Sequence, residues 1–214
     1  MNTLERYKII DQVIQTEKEL ANIVLPAYGG LFLRELLPST IRQHPLPQDL
    51  DPDCLFCVGP SCRRTWWHDD STNVIGQRPA NVGPWTRLQD YALSALQRQF
   101  DRIERSRAEV QRELSNFDET QSIDEYRILL DKLHKALPTL SQDQQVVNVS
   151  DPVLWHTDLH LGNIFFSPTD PAKIEGLIDW QSCHAAPLFL QSQFLDFLAP
   201  PKKLHFRHGI TIIA

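Results

Sequence analysis

Glycine is scarce in this chain, with eight in 214 residues, and only Gly29 and Gly30 adjoin. A loop that wraps nucleotide phosphates in backbone N–H groups needs a glycine cluster or a following lysine. Gly29-Gly30 runs straight into Leu31-Phe32-Leu33 with neither, so it reads as a turn before a short strand. Blocks of Lys and Arg are also lacking. With 21 basic against 27 acidic residues the formal charge is -6, and no basic footprint invites nucleic acid or a membrane surface. No apolar run is long enough to span a bilayer. The opening MNTLERYKIIDQ carries Glu5 and Asp11 and no long apolar stretch, the pattern of neither a signal nor a transit peptide. Four cysteines without a secretory signal read as free thiols in a reducing compartment. Cys54-x-x-Cys57 with Cys62 and His68 raises the question of zinc. The second ligand pair is loosely spaced, however, and buried or incidental thiols fit better.

A hydrophobic content of 42% supports one sizeable core, or one core plus an appendage. Leu4, Tyr7, Ile10, Ile14, Leu20 and Val24 recur at helical spacing, predicting a core-packed helix over about 3–23 that stops before Pro26. The Pro-rich segment 34–53 reads as a loop, and 54–59 as a short strand. Trp66 and Trp67 beside Arg63 and Arg64 read as packing aromatics with solvated guanidiniums. Thr86 with Gln89 forms a capping-box pattern. It opens a long amphipathic helix marked by Leu88, Tyr91, Leu96, Phe100, Ile103, Val110 and Leu114. Ser122 with Glu125 caps another helix, carrying Tyr126, Leu129, Leu130, Leu133 and Leu137, which Pro138 ends.

The densest chemistry lies in WHTDLHLGNIFFSPTDPAKIEGLIDW, residues 155–180. His156, Asp158 and Asn163 stand in the spacing H-x-D-x-x-x-x-N. An apolar run at 164–166, a turn rich in Ser and Pro, and a second apolar run ending at Ile178-Asp179-Trp180 follow. This predicts a polar loop and a hairpin that returns Asp179 close to Asn163. Phosphoryl transfer from a nucleotide needs such a set. One carboxylate orients the attacking hydroxyl and accepts its proton, and oxygen donors hold magnesium. The roles fall to Asp158 as catalytic base, and to Asn163 and Asp179 as metal and cofactor ligands. His156 braces the loop by hydrogen bonding.

HTDLHLGNIFF resembles the catalytic loop of the aminoglycoside phosphotransferase and choline kinase family, commonly H-G-D-L-H-P-G-N. His156, Asp158, Leu159, His160, Gly162 and Asn163 match it, whereas Thr157 and Leu161 stand where Gly and Pro are usual. LIDW resembles the family's metal-binding element. YGGLF, FCVGP, GPW and APLFLQ are similar to a fungal branch that includes the mitochondrial "altered inheritance of mitochondria" phosphotransferase-like proteins.

The resemblance implies an α+β protein-kinase-like large lobe over 1–198, mostly helical with a small catalytic hairpin, and a tail at 199–214 without family likeness. It implies ATP and magnesium as cofactors, a small-molecule hydroxyl as acceptor, and a mitochondrial location, otherwise cytoplasmic. It also implies a Gly-rich loop and a phosphate-binding lysine ahead of residue 1, so the chain reads as a piece of the domain. Two alternatives stay open. One is a catalytically incomplete kinase-like binding module, since half of the phosphate clamp is not in this sequence. The other is a metal-dependent hydrolase using His156, Asp158 and His160, with Asp179 and His184 completing the set.

Overall fold

The computed structural model describes residues 3–63, 66, 81–117, 120–170, 173–181 and 183–192. The fold is α+β. Helix α1 spans Thr3–Ala21, and strands β1 (Gly29–Leu33), β2 (His44–Pro45) and β3 (Phe56–Gly59) follow. Next come helices α2 (Leu88–Arg105), α3 (Arg107–Phe117), α4 (Ile123–Leu140) and α5 (Gln144–Val147). The last third holds β4 (Val153–Trp155), β5 (Ile164–Phe166), β6 (Ile174–Leu177), β7 (His184–Ala186) and α6 (Leu188–Gln191). Five strands form one sheet in the order β2-β3-β1-β7-β4, and β5 and β6 form a separate hairpin. The sheet adds strand pairing that the sequence pattern does not announce, within the expected fold class.

The glycine pair does not form a turn. Both residues lie inside β1, where Gly30 pairs with Gly59 on one side and His184 on the other. A Cβ on Gly29 would stand 2.2 Å from the Gly59 carbonyl oxygen, and one on Gly30 would stand 2.3 Å from Cys62 Sγ. Close strand approach, not turning, is what these glycines supply. Within the expected loop 34–53, the two-residue strand β2 pairs with β3.

Helix α1 packs on β4 and β6, but its inward face is rotated from the expected stripe. Val13 and Leu20 are buried, while Tyr7 is 60% exposed and Ile14 and Val24 are also at the surface. A short, broken partner surface buries only part of a helical stripe. The long helix expected after Trp85 breaks at Ser106, whose N–H still donates to the Arg102 carbonyl and whose own carbonyl accepts from Glu109 and Val110. The break lets Val110 of α3 join Leu96, Ile103, Ile123 and Leu130 in one apolar cluster of α2, α3 and α4. The Thr86–Gln89 capping box does not form, because Arg87 is the N-cap residue and makes no side-chain cap bond. The Ser122–Glu125 box does form, with both reciprocal bonds. Pro138 sits inside α4, which runs on to Leu140; so close to the C-terminus, only the carbonyl four residues back loses its donor.

Trp66, Tyr28, Trp85 and Tyr91 form a buried aromatic cluster against Ala186. The Arg98 guanidinium lies 5.0 Å from the Trp66 ring centroid. Trp67, Arg64 and His68 lie outside the described residues, as does the tail 199–214. Cys57 is buried in β3, where burial pushes its thiol up, and Cys54 is exposed.

Candidate functional site

Strand β4 delivers the chain to His156, which is 2% exposed. Its Nε2 lies 2.8 Å from the Ile178 carbonyl oxygen, and its Nδ1 is 3.4 Å from the Asp158 backbone nitrogen. A backbone N–H can only donate, so Nδ1 accepts and the ring proton sits on Nε2, which donates to Ile178. The Trp180 indole meets the same imidazole edge-on, at 4.8 Å between centroids. Its Nε1–H donates to the Leu177 carbonyl at 3.1 Å. His156 thus fastens the loop to the residue just before Asp179.

A 3-10 turn over Leu161–Asn163 carries the loop into β5. Asn163 is buried. Its backbone N–H donates to the His160 carbonyl at 2.9 Å, and its carbonyl accepts from Ile178 at 3.0 Å. Its Nδ2 donates to the Asp158 carbonyl at 2.9 Å. With the amide nitrogen committed, Oδ1 remains as the side chain's acceptor. Strand β5 pairs antiparallel with β6 from Ile164 opposite Leu177, so the hairpin sets Asn163 beside Ile178 and Asp179 comes next. Asp179 has φ 64, a left-handed conformation that costs a non-glycine residue about 1–3 kcal/mol and concentrates at functional sites.

Asp158 stands at the exposed side of this frame, its side chain 66% exposed and its Oδ2 3.7 Å from His160 Nε2. His160 caps the 3-10 turn by accepting from the Gly162 N–H at Nδ1, 3.0 Å away. A Cβ on Gly162 would sit 2.8 Å from the His160 ring, so glycine there makes room for the imidazole.

The donor set fits magnesium rather than a softer ion, since a carboxylate and an amide oxygen are hard ligands. The hydrolase alternative loses His156 and His184 as ligands and, of its histidines, keeps only Nε2 of His160. Both ring nitrogens of His156 are engaged inside the fold, and His160 Nδ1 is bound to Gly162. His184 is fully buried in β7, with Nδ1 3.4 Å from Ser61 Oγ. Among the described residues no group of three His, Cys, Asp or Glu side chains is placed to hold a metal ion.

Two contributors escape sequence reasoning. Gln12 of α1 accepts from the Ile174 N–H at 2.6 Å, tying the first helix to the hairpin. Cys183 lies beneath the loop: burial pushes its thiol up, a backbone hydrogen bond from Thr157 pulls the other way, and the Asp179 charge raises it further. Neither carries a local signal, because both act across long sequence separations.

A loop of H-x-D-x-x-x-x-N spacing, braced by histidine against a following hairpin and its terminal Asp, is the arrangement found in the class of kinase-like phosphotransferase folds. The chain belongs to the phosphotransferase enzyme family, whose model matches residues 42–190. It is similar to two proteins of Aspergillus fumigatus strains, each named a subtelomeric hrmA-associated cluster protein. Each is 26% identical over 224 residues, which cover 92% of this chain and 42% of the relative. The chain therefore spans less than half the length of these curated relatives. No solved structure matches significantly. Among the described residues no helix is long and apolar enough to cross a membrane.

Proposed function

We propose that the chain transfers the γ-phosphoryl group of ATP to a hydroxyl of a small molecule at the loop His156–Asn163 and Asp179. The observation that carries this reading is the hydrogen bond from Ile178 to Asn163, which brings the loop amide beside the Asp179 segment while His156 holds the same strand end. Asp158, exposed and adjacent, orients the acceptor hydroxyl and receives its proton as the oxygen bonds to phosphorus and the bridging oxygen leaves with ADP. Asn163 Oδ1 and the Asp179 carboxylate would hold magnesium, which when bound offsets phosphate charge. Titration calorimetry with magnesium and ATP, followed by turnover against a panel of small alcohols, tests it. Asp158→Asn is expected to lower turnover by about 10²–10⁴-fold, and Asp179→Ala to remove magnesium-dependent nucleotide binding.

A kinase-like binding module is the second reading. What favours it is that Gly29 and Gly30, packed into a strand against Gly59 and Cys62, supply no phosphate loop among the described residues. Failure to bind nucleotide at millimolar concentration would select this reading over the first.

A further inference from the structure

The two histidines of the loop make the same local bond, each accepting at Nδ1 from the backbone N–H two residues on: His156 from Asp158, and His160 from Gly162. Both rings therefore carry their proton on Nε2. His156 spends that proton on the Ile178 carbonyl. His160 has no such carbonyl, and its Nε2 instead faces Asp158 Oδ2 at 3.7 Å. The cap bond at Nδ1 sets the orientation of the ring, and the missing Cβ of Gly162 leaves room for it there.

Resting on the phosphotransfer reading of the same loop, we propose that His160 is a positioning residue that holds one oxygen of the Asp158 carboxylate. Its Nε2–H draws Oδ2 aside and leaves Oδ1 to meet the acceptor hydroxyl. The Asp158 backbone is already fixed on both sides, its N–H to His156 and its carbonyl to Asn163. Only the side-chain torsions are left to set. An exposed carboxylate otherwise samples several rotamers, and a base must lie within hydrogen-bond reach of the proton it takes. The 3.7 Å separation exceeds a direct bond, a gap that a small rotation or one water closes. The contact adds little stability at this exposure, so its effect falls on geometry.

The test separates the tether from the cap. His160→Asn keeps a good helix-cap acceptor for the Gly162 N–H but is too short to reach Asp158. It is expected to melt with the wild type and to keep its KM for magnesium-ATP while kcat falls about tenfold. His160→Ala should lose melting temperature as well. A His160→Asn enzyme with wild-type kcat overturns the proposal, since the ring would then serve only as a cap. A second readout needs no turnover. In long-range proton–nitrogen spectra of the histidine-labelled full chain, Asp158→Asn should shift the Nε2 signal of His160. An unmoved His160 signal overturns the tether. Absence of phosphotransfer in the wild type would remove the functional reading instead, and the spectrum would still decide the contact.

Discussion

A histidine sealed from water makes the clearest single-residue prediction. His184 is fully buried, and no partner is found for its Nε2. Burial, and then the positive charge of Arg63, lower its pKa to about 3. In the unfolded chain the same ring takes a proton near about 6.5. Between those values the unfolded state binds more protons, so stability rises with pH and is lost as pH falls from about 6.5 toward 3. The slope from this one group approaches about 1.4 kcal/mol per pH unit. His44, also lowered, by burial and by Arg42, adds in the same direction. Urea unfolding measured at a series of pH values from neutral down to about 4 should show this loss. His184→Gln should flatten most of it and leave the smaller His44 part. An unchanged slope in the variant would contradict the assignment. The placement of Asn163 beside the Ile178–Asp179 end of the hairpin is legible at this scale because loop and hairpin lie within one contiguous segment, where spacing alone dictates neighbours.

Strands are where local pattern stops being enough. The sheet is assembled from pieces of two to five residues, too short for alternation to register. Its central pairing joins Gly30 to His184, a contact no window of sequence contains. Gly29 and Gly176 separate two uses of glycine. At Gly29 an added methyl would stand 2.2 Å from the Gly59 backbone oxygen, which cannot yield without parting β1 from β3; at Gly176, in β6, nothing lies within 4 Å. Gly29→Ala should therefore cost about 1–3 kcal/mol. Gly176→Ala should be neutral or gain up to about 1 kcal/mol by restricting the unfolded chain. Equilibrium denaturation of the two variants side by side checks the contrast; equal effects would mean that β1 does not pack as closely as described. Helices tell the complementary story. The Ser122–Glu125 cap forms as its pattern predicts, whereas the pattern at Thr86–Gln89 is overridden when Trp85 bridges to Tyr28 and the N-cap moves one residue on, to Arg87.

Across the whole molecule, apolar surface is divided unevenly. Three clusters are closed: α1 against the sheet, the aromatic group around Trp85, and the interior of α2, α3 and α4. Among the described residues, packing is open on the side of α2 and α4 that meets α5 and α6. A cavity of about 850 Å³ lies there, lined by Leu96, Leu133, Leu137, Leu140, Phe189 and Leu190 among others. Leu133, Leu140, Val149 and Phe189 are between 40% and 56% exposed at its margin. A void of this size and lining is the kind that takes up drug-sized apolar molecules, and exposed apolar margins of this sort mark contact surfaces. The folded protein should accordingly bind an environment-sensitive apolar dye such as anilinonaphthalene sulfonate saturably, at temperatures well below its melting transition. Leu133, already 40% exposed, can become lysine with its alkyl stem along the wall and its ammonium in water. Leu133→Lys should therefore weaken dye binding several-fold while leaving the melting temperature within a few degrees. If dye fluorescence instead appears only as the protein melts, the cavity is closed in solution and the helices pack more tightly than their side chains here indicate.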